Sequence, residues 1–115
     1  MKTLITIFTL ALSANSFAAA SVTCGGNEPS WGVTTSQDRL IYSEASGAKP
    51  LSLKILNTKQ AQGFSPDVAF VIKTKYTGLT VIAGDCSDGM SDINYTHHGV
   101  MNIDGKVLYG CCSLK

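Results

Sequence analysis

Tyr95-Thr96-His97-His98-Gly99-Val100-Met101-Asn102-Ile103-Asp104-Gly105-Lys106-Val107-Leu108-Tyr109-Gly110-Cys111-Cys112 is two strand-like runs around one turn. Asp-Gly between β-branched and aromatic residues is a two-residue hairpin signal, because glycine supplies the positive φ that a primed turn needs. A two-residue loop pairs Ile103 with Lys106 and Met101 with Leu108. Side chains alternate along a strand, so Met101, Ile103 and Leu108 share one face, taken as the core face. Cys112 falls on that face and Cys111 on the opposite one.

The same residue types recur upstream. Trp31 to Ser36, Leu40 to Ser43, Leu51 to Leu56, Val68 to Lys75 and Leu79 to Ala83 are short runs bounded by Gly, Pro, Asn, Asp or Ser. Alternation is clearest at Val68, Phe70 and Ile72, with Lys73 and Lys75 on the other face. No window carries a capped helical stripe, although Thr58 to Gly63 has the composition for a turn of helix. The expectation is an all-β fold, a small antiparallel barrel or sandwich of about 6–8 strands. No internal repeat or low-complexity linker divides it.

Four cysteines, Cys24, Cys86, Cys111 and Cys112, complete this picture. An even number in a short exported chain reads as two disulfides. Joining Cys111 to Cys112 would strain the geometry a disulfide prefers. Neighbours on a strand point to opposite faces, so one of them takes Cys86 and the other Cys24. Spacing leaves that choice two-way. A zinc site wants paired ligands on two knuckles. Cys111-Cys112 is too close for a knuckle, and the rings of His97-His98 diverge on a strand.

The first twenty residues read as a signal peptide. Lys2 is the positive n-region, and Thr3 to Leu12 is an apolar run of about ten residues, where a membrane span takes roughly 20. Ser16-Phe17-Ala18 and Ala18-Ala19-Ala20 supply the small residues signal peptidase requires, so cleavage is expected after Ala18 or Ala20. Cys24 lies close behind. Thr23 before it and Ser21 at minus three match a lipid-attachment site poorly, so residues 21–115 are expected as a soluble single domain.

That domain has about 95 residues. Without Lys2 it holds eight basic and eight acidic side chains and is formally neutral. It lacks the basic stripe of a nucleic-acid binder and a basic amphipathic helix for a membrane surface. No cofactor motif is present. The partner classes that remain are a protein, a glycan or a small ligand, and the sequence does not fix the oligomeric state.

Two stretches are distinctive: Cys24-Gly25-Gly26-Asn27-Glu28-Pro29-Ser30-Trp31, and Cys86-Ser87-Asp88-Gly89-Met90-Ser91-Asp92, followed later by Gly110-Cys111-Cys112. Together they resemble a family of small exported bacterial proteins of uncharacterised function, some of them lipoproteins. That family shows G-N-E-P-aromatic-W, C-S-D-G-M-S-D and a C-terminal G-C. Ser30 departs from it, standing where the family tends to have an aromatic. The resemblance implies an antiparallel β fold in which Cys86 pairs with Cys111 and Cys24 with Cys112.

Four residues are candidate binding groups: Glu28, Trp31, Asp88 and Asp92. Trp31 reads first as a core anchor; exposed beside Glu28, it would suit glycan stacking or a protein hot spot. Ser87, Asp88, Ser91 and Asp92 can cap nearby N–H groups, and Gly89 permits a left-handed turn. The functional alternative is an acceptor cluster of Asp85, Asp88 and Asp92 for a cation or a cationic partner group, though for calcium its spacing is not that of an EF-hand. Asn94-Tyr95-Thr96 is a glycosylation sequon by chance in a bacterial chain.

Three functional classes follow. A binding module would present a rigid stapled surface. Ser46-Gly47-Ala48-Lys49 resembles the S-G-x-x-Y loop of periplasmic lysozyme inhibitors, with Pro50 in place of Tyr. An enzyme would draw on His97 or His98 as base, Ser87 or Ser91 as nucleophile and Asp88 or Asp92 as orienter, or on Glu28 and Asp92 as a carboxylate pair. Nothing in their spacing selects them, so no catalytic residue is expected. A structural envelope component would act through a strand edge or oligomer face.

Overall fold

Alternating inward and outward side chains make nearly every run above a strand with one dry face. The computed structural model describes residues 21–115 except Glu28, Ser46, Met90 and Ser91. The strands are β1 (Val22–Asn27), β2 (Ser30–Ser36), β3 (Arg39–Glu44), β4 (Leu51–Lys54), β5 (Asn57–Gln60), β6 (Ala69–Lys73), β7 (Gly78–Ser87), β8 (Asn94–Ile103) and β9 (Lys106–Leu114). They form one antiparallel sheet in the order β4-β3-β2-β1-β9-β8-β7-β6-β5.

All of its hydrogen-bonded neighbours except β1 and β9 are consecutive in the chain, so the sheet is a meander whose first and last strands meet. Its two edges, β4 and β5, are successive parts of one extended run, 51–60. Within that run the Ile55 N–H donates to the Asp38 carbonyl and the next N–H, of Leu56, donates to the Lys73 carbonyl, each at 2.8 Å. Consecutive residues thus reach neighbours on opposite sides, and the sheet curls into a half-barrel.

Its concave face is the core. Phe70, Leu40, Leu79, Met101 and Val81 are fully buried there, from β6, β3, β7 and β8. Truncating any of these leucines to alanine removes about 2–5 kcal/mol. Thr35, the buried polar side chain on β2, is satisfied by the Val22 N–H at 2.9 Å and so joins β1 to β2.

The final hairpin has the expected register, with Ile103 opposite Lys106 and Met101 opposite Leu108. Asp104 (φ 54°) and Gly105 (φ 72°) both sit left-handed, as a primed turn demands. Met101, Ile103 and Leu108 are buried on the core face with Cys112, and Cys111 lies on the other side of β9.

Two expectations need correction. Thr58 to Gly63 is not a turn of helix: Asn57–Gln60 is β5, paired with β6 from Asn57↔Lys73 to Gln60↔Phe70. The open edge of β6 overrides the local preference of a polar segment. The described residues hold nine strands, against an expected count of about 6–8, because the 51–60 run pairs on two sides and Val22–Asn27 adds a strand ahead of Trp31.

β1 and β9 are held by the Cys24–Cys112 disulfide. The two residues face each other in the ladder with Cα atoms 4.0 Å apart and 88 positions apart in sequence. The bridge lies over Gly99 of β8. A Cβ there would collide with Cys112 Sγ and stand 3.1 Å from Cys24 Sγ. Loop-closure entropy puts the bridge's contribution at roughly 4–5 kcal/mol. Gly99→Ala should cost about 1–3 kcal/mol of unfolding free energy in urea. In a Cys24→Ala/Cys112→Ala background the same change should cost clearly less, since the sulfurs it strikes are gone. An equal cost in both backgrounds would show that Gly99 is not needed for the bridge.

Candidate functional site

A second disulfide builds the site by bending the sheet. Cys86 is on β7 and Cys111 on β9, with β8 between them. In a flat sheet such strands lie roughly 9.5 Å apart, yet the two Cα atoms are 5.6 Å apart. The register breaks between Ala83 and Cys86, and such a bulge sharpens bend and twist. Beyond it, the tip of the β7–β8 hairpin folds over the outer face of β9 and β1. The Asn27 side-chain amide donates to the Asp88 carbonyl at 3.0 Å and ties the tip down a second time.

Tip and seam enclose a cleft of about 350 Å³, lined by Gly25, Gly26, Asn27, Ser87, Asp88, Tyr109, Gly110 and Cys111. A smaller hollow of about 270 Å³ adjoins it and reaches Thr23, Trp31 and Tyr95. Backbone makes much of the floor. A Cβ on Gly110 would strike the Gly25 carbonyl, and one on Gly26 would strike the Trp31 indole and the Tyr109 carbonyl. The two distinctive sequence stretches therefore meet in space.

Trp31 belongs to the core rather than to an exposed stacking surface. It is 5% exposed, and its indole N–H donates to the Tyr109 carbonyl at 3.3 Å. Its role at the site is to underlie the hollow. Asp88 is half-buried at the cleft, and Asp92 and Asp85 are exposed. Among the described residues no three of His, Cys, Asp or Glu converge to hold a metal ion, and Asp85, Asp88 and Asp92 make no such group. Ser87 Oγ accepts from the Gly89 N–H at 3.2 Å, and Gly89 is left-handed (φ 76°), the expected local turn. Glu28, Ser91 and Ser46 of the Ser46-Gly47-Ala48-Lys49 segment lie outside the described residues.

The two histidines point to opposite sides, and neither engages Ser87. A carbonyl can only accept, so His97 Nε2–H donates to the Asp67 carbonyl at 2.8 Å. With the proton on Nε2, Nδ1 accepts from the Thr96 hydroxyl, 2.7 Å away. Buried and with both nitrogens occupied, His97 fastens the turn before β6. His98 lies on the outer face with Nδ1 against the Tyr109 hydroxyl. Tyr42, remote from the cleft, is pushed up to about 12, first by burial and then by its hydrogen bond to Glu44 at 2.8 Å.

Asn27 and Tyr109 are site residues that sequence reasoning did not single out. Asn27 stood inside a quoted motif. Tyr109 is two positions before Cys111 and so shares its outward face, a signal available once Cys111 is taken as bridged to Cys86. Compared with known proteins, the chain matches no family model, no curated protein and no solved structure.

Two disulfides place the folded chain in an oxidising, extracytoplasmic environment. The Cys86–Cys111 bridge should act locally. In a Cys86→Ala/Cys111→Ala variant, amides of residues 84–89 and 92–96 should exchange faster by hydrogen–deuterium mass spectrometry, with β2 and β3 unchanged. Uniform loss of protection would contradict a staple confined to the tip.

Proposed function

We propose that this chain is exported through an N-terminal signal peptide to the bacterial periplasm and works there as a non-catalytic binding module, its ligand held in the cleft between the β7–β8 tip and the β1–β9 seam. One observation carries this reading: a covalent bridge and the Asn27–Asp88 hydrogen bond fix the cleft before any ligand arrives. A site held open in advance spares the ordering cost of binding. At about 350 Å³ the cleft falls at the small end of ligand pockets, which run from roughly 300 to 1,000 Å³. Its groups suit recognition: an amide, a carboxylate, a phenol and glycine backbone that lets a ligand approach closely. The resemblance to small exported bacterial proteins supports the compartment, and the two bridges need one that is oxidising.

The test uses ¹⁵N-labelled residues 21–115, titrated with peptidoglycan fragments, short peptides, oligosaccharides and lysozymes. The expected result is that one class shifts the amides of Gly25, Gly26, Ser87 and Cys111 together. An Asn27→Ala/Asp88→Ala variant that keeps its fold should then lose about tenfold in affinity, the scale of one or two hydrogen bonds. Shifts confined to other faces, or a variant that binds as tightly, would contradict the assignment of the cleft.

A further inference from the structure

A second depression crosses the outer face of the sheet, away from the cleft. The ladder sets Lys73 opposite Gly78, Gly78 opposite Asn102, and Asn102 opposite Val107, one row across β6, β7, β8 and β9. Their chain neighbours Ile72, Leu79, Met101 and Leu108 are buried in the core, so this row faces outward. Gly78 has no side chain, and the stem of Lys73 lies across it. The turn after Lys73 and the turn at Asp104-Gly105 rise beside it, giving a groove of about 570 Å³.

Lys73, Lys75 and Lys106 line this groove against one carboxylate, Asp104. Lys106 pairs with Glu44 at 3.1 Å, whereas Lys73 and Lys75 have no ion pair among the described residues. The Asn102 amide and the Thr80 hydroxyl lie in the floor. Tyr76 stands at the rim, 77% exposed, with Lys75 Nζ 5.4 Å from its ring centre. Thr74 and Thr77 are bonded to each other at 2.7 Å, which holds the turn and takes their hydroxyls out of the groove.

We propose that this groove binds an anionic oligosaccharide, a chain of sugars carrying carboxylates. The lysines would meet the carboxylates, Asn102 and Thr80 the hydroxyls, and the Tyr76 ring a sugar face. An acidic peptide fits less well, because the exposed Tyr76 ring at the rim offers a flat face that a sugar ring stacks on and a carboxylate side chain does not. Strand addition needs a free sheet edge, and at this row β6, β7 and β8 are each paired on both sides. The inference is independent of the cleft.

The experiment is calorimetric titration of residues 21–115 with a short oligogalacturonate, its methyl ester and an oligoglutamate. The acidic sugar should bind and weaken as salt rises, while the ester and the oligoglutamate bind much more weakly. Lys73→Gln/Lys75→Gln should lose about tenfold, the scale of one charge-assisted hydrogen bond. Gly78→Val should lose as much with every charge kept. Its Cβ would meet only Lys73 Cδ, at 3.7 Å, so the fold should survive. Asn27→Ala/Asp88→Ala should bind the sugar unchanged. No binding of the acidic sugar, equal binding of the oligoglutamate, or a folded Gly78→Val that binds as well as the parent would each overturn the proposal.

Discussion

The pairing of β1 with β9 is the constraint on which the rest of the structure leans. Every other ladder joins strands that are neighbours in the chain, so a hairpin turn or short link suffices to bring each together. The seam must bring together residues 88 positions apart, and the entropy of closing so long a loop opposes it. The Cys24–Cys112 bridge removes most of that cost from the unfolded state. Gly99 leaves room for the sulfurs beneath, and Gly110 lets β1 cross close to β9. With the seam set, the sheet has a concave side able to bury Leu40, Phe70, Leu79 and Met101 together.

The seam also makes the outer surface. Cys112 points inward and bridges to β1; its neighbour Cys111 necessarily points outward and catches Cys86 from the folded hairpin tip. One dipeptide thus locks the sheet on its concave side and pins a flap on its convex side. The cleft beneath that flap has a glycine backbone floor because side chains at Gly26 and Gly110 would fill the space between the strands.

Legibility in the sequence followed how local each feature is. The 95–112 hairpin could be read to the register because turn chemistry and period-two alternation lie within one short stretch. Opposite directions for Cys111 and Cys112 came from the same period. Thr58 to Gly63 could not be read, since Thr58, Lys59 and Gln60 become part of β5 only because β6 offers an open edge. The cleft was hidden for a related reason. It depends on the register break after Ala83 and on Asn27 meeting Asp88 across 61 positions, neither of which leaves a local pattern. Trp31 had two readings, core and surface, and burial under the seam selects the first.

The most direct test of this account is the cystine connectivity of the folded protein, by partial reduction, stepwise alkylation and fragmentation of peptides spanning Cys111-Cys112. The account predicts Cys24 joined to Cys112 and Cys86 joined to Cys111. Cys24 joined to Cys111 with Cys86 joined to Cys112 would contradict it, for the seam would then be out of register and the hairpin tip would not cover it.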